Sequence, residues 1–457
     1  MKEKIIQTDG KLGVRDTISM ATGFAIGSGV ITMTGIAIGM TGRSVIISYL
    51  LTAATFLLAV IPTLIISSIH PSKSASYVYS KELLHPKVGG FYMFIYFLGR
   101  LTISIFGISF AQYLAALIPG VNERLVAVLV LTLFFVINLF GMKSAARAQN
   151  IMFYILVLSL GIFIVAGFLK LDVAAYFNLD GFFVDGFHGV WSAASLLVFA
   201  VGGAGVLVDF GNSVRNPAKV IPKVIVGVTV CVALAYALLS MVAAGVLPYD
   251  QVAFKPLTSA AAAVFGQGSG MYALFIVGGA LLALATTLNS SFVWYSSAMQ
   301  KGCEEGWFPK ALVKPNRYGV SYRLMIIFYL FGLVPALIGF DITVLSKMAV
   351  GLTTFMWMIP VFGLVNAPKR YEAEWKASKF ANLPSWSLWA LSIVSFVIYG
   401  SQTIALFQGN PTASNIIIVA YVILVTLYIL LLRNYPGKER AKALQGRTQS
   451  GSSLPSK

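Results

Sequence analysis

The stretch Ile26-Gly27-Ser28-Gly29-Val30 lies in the middle of an apolar run from Ile18 to Met40 that is otherwise long enough to cross a bilayer. Small residues there make the helix easy to interrupt. An interrupted helix leaves N–H and C=O groups without intrahelical partners, and hydrocarbon cannot satisfy them. Such a break persists only where it is buried in protein or lines a wet cavity, and a ligand can then take the place of the missing hydrogen bonds. The same residues admit a plainer reading: Gly23, Gly27, Gly35 and Gly39 fall on a four-residue spacing that lets another helix pack closely.

Composition fixes the class. With 58% hydrophobic and 11% charged residues over 457 positions, the chain is too apolar for a soluble globular protein and reads as an all-α integral membrane protein. Apolar runs of spanning length predict twelve transmembrane helices, near 17–40, 44–68, 89–118, 122–142, 149–170, 188–212, 221–247, 269–299, 323–340, 342–366, 386–408 and 413–433. The net charge of +17 belongs to loops. Alternate loops hold Lys73, Lys81 and Lys87; Lys143 and Arg147; Arg215, Lys219 and Lys223; Lys301, Lys310, Lys314, Arg317 and Arg323; Lys369, Arg370, Lys376 and Lys379. The opposite loops hold only Arg43, Arg124, Lys170 and Lys255. The positive-inside rule therefore places both termini in the cytoplasm of a multi-pass plasma-membrane protein, and the dispersed charge gives no reason to expect a nucleic-acid partner. Of the two cysteines, Cys231 falls in a predicted helix and Cys303 in a cytoplasmic loop, so no disulfide is expected. The first apolar run is too long for a signal peptide and reads as a retained helix.

Along the chain, the second predicted helix carries Pro62, which a membrane helix tolerates where neighbours satisfy the freed carbonyl, and a polar segment containing His70 and His85 reads as a solvated loop. Arg100 lies inside the third helix, where it needs a partner or water. The stretch from Gly141 to Asn150 reads as a basic cytoplasmic connector. Asp172, Asp180, Asp185 and His188 read as solvated surface on the outer face. The sixth helix repeats the peculiarity of the first: Phe199-Ala200-Val201-Gly202-Gly203-Ala204-Gly205 interrupts an apolar span five helices later. Two glycine-interrupted helices, each opening a group of five, point to an inverted-repeat transporter that holds its substrate at the midplane. The chain then divides into a cytoplasmic N-terminus (1–16), a first five-helix repeat (17–170), an extracellular loop (171–187), a second repeat (188–366), a cytoplasmic loop (367–385), helices eleven and twelve at the periphery (386–433) and a basic tail (434–457). The eighth helix carries Thr286, Thr287, Asn289, Ser290 and Ser291. Their hydroxyls can coordinate sodium or simply bond carbonyls of the preceding turn.

Several motifs carry a family resemblance over nearly the whole length: Ile26 to Val30, Pro86-Lys87-Val88-Gly89-Gly90, Asn138 to Asn150, Arg215-Asn216-Pro217-Ala218-Lys219-Val220-Ile221-Pro222 and Gly306-Trp307-Phe308-Pro309-Lys310. In order and spacing they resemble amino-acid permeases of the amino acid–polyamine–organocation (APC) superfamily. The resemblance implies a LeuT-type fold, a 5+5 inverted repeat with two peripheral helices. It also implies an amino acid whose carboxylate is held by backbone N–H groups at Ser28 and Gly29, with its ammonium on carbonyls near Thr22 to Ile26 and Phe199 to Gly202. Helix ends favour such charges. Phe199 falls where such permeases place an aromatic gate. The expected substrate-binding residues are Ile26, Gly27, Ser28, Gly29, Phe199, Val201, Gly202 and Ser291. Arg100, Asp209, Thr287 and Ser290 are the gate or coupling candidates. The chain departs from the family's pattern at Gly205, where many relatives have glutamate, at Ser213, and at Leu156, where some proton-coupled members have lysine.

Other functions fit less well. The spans offer only Arg100, Asp209 and Lys347 as charges and no metal-ligand spacing, so neither an enzyme, a cofactor nor a metal is expected. A non-translocating receptor stays open, and so does transport of a cationic amino acid or polyamine by exchange. The expected substrate is a neutral amino acid, because Thr22 to Val30, Phe199 to Gly205 and Thr287 to Ser291 contain no charged residue. Sodium-independent exchange or proton symport ranks above sodium coupling, and the expected assembly is a monomer or homodimer. Arg100 and Asp209 are expected either to pair or to meet water separately.

Overall fold

A membrane-spanning backbone must satisfy its own polar groups, and these apolar runs do so as helices. The computed structural model describes residues 12–141, 146–179, 181–432 and 434–436. Among them no strand forms beyond two isolated bridges, Leu12 with Val214 and Lys73 with Phe210. Nine helical runs among the described residues are long and apolar enough to cross a membrane. One of them, Val14–Ala59, takes in the first expected span and most of the second, while Glu123–Leu139 and Tyr322–Ile338 are helices of 17 residues each. The chain is a multi-pass membrane protein.

Local chemistry sets many of the boundaries. The side chains of Asn122, Ser269 and Asp341 accept from the backbone N–H of Leu125, Tyr272 and Val344, closing three helix starts. Pro86 and Pro217 stand in first turns, where a missing N–H goes unnoticed. Pro62 opens a second piece of the second span, Ile61–Ile69, after Val45–Ala59. The helix Ser28–Thr41 packs along Gly186–Val201, and Val45–Ala59 packs along Pro217–Gly245. Ser385–Phe407 lies against Ile342–Met358 and buries Gln402, whose Nε2 donates to Thr55 Oγ1 at 3.3 Å.

Connecting segments meet in two layers. On one side Arg43 donates to the carbonyl of Ala175, Ser44 N–H to Phe182, and Tyr249 OH to Gly39. On the other, where the first span begins, Leu12 N–H donates to Ser213, Asn366 donates to Leu83, and His70 stacks on Tyr371 at 4.1 Å. Here two of the sequence motifs fit together. A β-carbon at Gly90 would lie 2.5 Å from the Trp307 ring, whose Nε1 donates to Tyr77 OH at 3.1 Å. Tyr77 in turn donates to Glu305, which Lys81 Nζ holds at 2.8 Å.

Two sequence expectations change. The segment with His70 and His85 is no solvated loop: Ala75–Tyr79 and Ser80–Leu84 are helical, and Tyr77, Tyr79 and Leu83 are buried. The aromatic residues in that polar stretch supply the apolar face that docks it. Cys303 is not in a loop either, because the eighth span continues as Leu282–Glu304 and buries it completely. Asp180, Lys143 and Arg433, the side chain of Arg147, and most of the basic tail lie outside the described residues.

Candidate functional site

The first span is in two pieces. Val14–Ala25 ends at Ile26, whose backbone is extended, and Ser28–Thr41 starts after Gly27 with no capping side chain. A helix start without a cap leaves N–H donors and the positive end of the helix dipole available. The Ser28 N–H reaches Thr287 Oγ1 at 3.4 Å, a long bond that an anion can displace. The sixth span changes character at the expected place: Gly186–Val201 gives way to the 3₁₀ segment Gly202–Asp209. Eight residues of 3₁₀ helix is long for that geometry, and Gly202, Gly203 and Gly205 permit it.

The two interruptions lie against each other around a cavity of about 510 Å³. Ile26, Gly27, Ser28, Gly29, Phe199, Gly202, Thr287, Ser290 and Ser291 all line it, as do Arg100 and Asp209. Val201 does not: it is fully buried on the face turned away from the cavity. Phe199 is half-buried and stacks on Phe106 at 6.2 Å, so it is part of the wall and not lipid-facing bulk. Leu156, at the position compared with a lysine, also faces the cavity.

The cavity is one-sided. It runs from the break to Asp16 and Ser19 at the start of the first span, and beyond Gly29 no residue of Ser28–Thr41 reaches it. On the far side Tyr113 OH donates to Ile31 O at 3.0 Å and accepts from Leu257 N–H, while Phe254 N–H donates to Gly35 O at 2.9 Å. The glycine spacing therefore serves both readings at different residues. Gly35 packs on the backbone of Lys255 and Gly39 on the Phe254 ring, Gly27 lies at the break and lines the cavity, and Gly23 meets nothing within 4 Å.

Of the two alternatives for Arg100 and Asp209, pairing does not occur among the described residues, whose ion pairs are all elsewhere. Asp209 Oδ1 accepts the Ser76 N–H at 2.9 Å, and its carbonyl accepts from Ser74. The donors at the start of Ala75–Tyr79 thus take the carboxylate that could have met Arg100. In the eighth span Thr286 and Ser291 hydroxyls donate to the carbonyls of Leu282 and Thr287 at 2.9 and 2.7 Å, the plainer of the two readings. Asn289 accepts from Asn138 at 2.8 Å.

Sequence reading missed much of the wall: Phe56, Tyr92, Tyr96, Trp294, Trp357 and Tyr399. One signal was present, since Tyr92, Tyr96 and Arg100 recur at intervals of four and share a helix face. It also follows that the cavity is not free of charge, because Arg100 and Asp209 enter it from stretches that the neutral-substrate argument did not include.

The chain is similar to known amino-acid permeases. A family profile described as amino acid permease matches residues 12–429. The branched-chain amino acid permease BcaP of Bacillus subtilis is 26% identical over 72% of this chain and 74% of its own length. The amino-acid permease AapA of the same organism is 24% identical over 90% of this chain and 92% of its own. The chloroplastic cationic amino acid transporter 9 of Arabidopsis thaliana is 26% identical over 61% of this chain and 52% of its own.

Proposed function

We propose a specific transport reaction for this chain, which belongs to the amino acid permease family of the APC superfamily. It is a secondary transporter that moves an amino acid with an uncharged side chain across the plasma membrane by alternating access. One observation carries the reading: the uncapped start of Ser28–Thr41 and the 3₁₀ segment Gly202–Asp209 face one cavity that is open at one end and closed at the other. The carboxylate takes the Ser28 and Gly29 N–H groups, displacing Thr287, and the ammonium takes carbonyls on the two broken spans. Phe199 closes over the side chain. With both termini in the cytoplasm, as the loop charges favour, the open end is the cytoplasmic one. Twelve spans with a LeuT-type inverted repeat fit the pairing of the first span with the sixth and of the second with the seventh.

A cationic amino acid or polyamine fits less well, because Arg100 faces the cavity while the carboxylate of Asp209 is already held by backbone donors. Coupling by sodium-independent exchange or proton symport is favoured over sodium. Uptake with sodium replaced by choline tests this ranking. The experiment is uptake of radiolabelled alanine and leucine into proteoliposomes, with competition by unlabelled amino acids. Stronger competition by arginine, a polyamine or glutamate than by alanine, serine or leucine would overturn the neutral-substrate reading. Absence of uptake under every imposed gradient and with every internal amino acid would overturn transport itself.

A further inference from the structure

The cavity holds a second set of hydrogen-bond donors, which the broken spans do not use. Tyr92, Tyr96 and Arg100 lie on one face of Pro86–Leu98 and the 3₁₀ turn Gly99–Leu101, and all three line the cavity. Arg100 is only 5% exposed. Its Nε donates to the Tyr96 carbonyl at 3.1 Å, and its guanidinium carbon lies 4.1 Å from the Tyr96 ring centroid and 4.8 Å from that of Tyr295. The aromatic faces attract the cation without taking its N–H groups. A guanidinium has five N–H donors in a fixed fork, and here the four on the two terminal nitrogens have no acceptor among the described residues. Beside it, the Tyr96 hydroxyl is buried and likewise has no hydrogen-bond partner among them.

Arg100 and Tyr96 both line the cavity, and an incompletely satisfied cation next to a buried, unpartnered hydroxyl suits a planar, singly negative group with two oxygens able to accept in parallel. Asp209 lines the same cavity, but its carboxylate accepts from the Ser76 N–H and forms no ion pair with Arg100 among the described residues. We infer that Arg100 and Tyr96 form a second carboxylate subsite of the cavity, separate from the helix break at Ser28 and Gly29. This inference rests on the transport reading above and deepens it. The guanidinium receives the carboxylate oxygens and the Tyr96 O–H donates to one of them. The carboxylate is the α-carboxylate of a substrate that has left the break.

The test uses the full chain in proteoliposomes. Binding of radiolabelled alanine is competed by unlabelled alanine, leucine, aspartate and glutamate, in wild type and in R100Q, R100M, R100K and Y96F. R100Q and R100M are expected to raise half-inhibitory concentrations by about tenfold or more, as the loss of a charge-assisted hydrogen bond implies, and R100K to restore part of the loss. Y96F is expected to raise them a few-fold. It removes a hydroxyl with no partner in the fold, so it reads the subsite even where an Arg100 variant does not fold. An equal loss for all four competitors supports the α-carboxylate as the group seated there, and a loss confined to aspartate and glutamate overturns it. Half-inhibitory concentrations within about twofold of wild type in variants that remain monodisperse overturn the subsite. A wild-type protein that neither binds nor takes up any amino acid overturns the transport reading instead.

Discussion

A β-carbon at Gly203 would stand 2.8 Å from the Cα of Ala25, and one at Gly29 would stand 2.8 Å from the Cα of Ala200. The contact is reciprocal: each interrupted span presses a glycine onto the backbone of the other, next to its break. Neither position has room for a side chain, and neither neighbour can yield, because the atom met is backbone.

Replacing Gly203 or Gly29 by alanine should therefore lower stability by about 1–3 kcal/mol and abolish uptake. Gly23 is the control. It meets nothing within 4 Å, so G23A should leave the melting temperature unchanged or slightly higher, alanine being the better helix former. Melting followed by size-exclusion chromatography reads both. A G203A protein as stable as wild type would contradict the close crossing.

Thr287 holds the Ser28 N–H only until substrate arrives, if the carboxylate seats there. T287V should then lower the stability of the substrate-free protein by about 0.5–1.5 kcal/mol, and saturating substrate should remove most of that difference. In proteoliposome uptake, replacing sodium by choline should leave the rate unchanged. A large fall would return Thr287, Ser290 and Ser291 to the role of sodium ligands.

Cys303 is completely buried, so a membrane-impermeant maleimide should not modify it from either face of the native protein. Lys310, a few residues further on, is exposed. In a background with both cysteines replaced by serine, K310C should be labelled from the cytoplasmic face alone. Labelling of intact cells from outside would reverse the orientation.

His85 closes the start of Pro86–Leu98 by accepting the Lys87 N–H on Nδ1 at 3.1 Å. Burial, and then the nearby Lys87 charge, hold its pKa below the usual histidine value of 6.5. A histidine with a depressed pKa stabilises the folded state above the unfolded pKa, and that contribution is lost as pH falls, because the unfolded chain binds the proton first. Thermal stability should therefore drop on acidification from about pH 7 to pH 5. H85N, which keeps a capping acceptor and does not titrate, should show a smaller drop. Equal acid sensitivity in the two proteins would exclude His85 as the source.

Much of this protein is legible in one dimension, because the properties concerned are local. Apolar run length sets where helices form, since hydrocarbon leaves the backbone no other way to satisfy its N–H and C=O groups. The glycines at 27, 29, 202 and 203 mark where the first and sixth spans change course, and the motifs containing Gly90 and Trp307 mark surfaces that turn out to meet. The residues expected at the site are gathered at the cavity, with Val201 the exception: a side chain one position from Gly202 points to the other face of its helix.

What the sequence left undecided was which side chains, far apart in the chain, share one space. Arg100 and Asp209 were the two charges nearest in expected depth, and charge alone would pair them. Packing instead gave Asp209 to the amide of Ser76 and surrounded Arg100 with Tyr96, Trp294 and Tyr295. The same holds for the segment around Tyr77, whose polar composition reads as loop until Trp307 and Glu305 are brought against it. Hydrophobicity and backbone satisfaction act along the chain and can be read from it. Whether a buried charge meets a carboxylate, a ring or a ligand depends on the tertiary arrangement of spans separated by a hundred residues or more, and only that arrangement decided it.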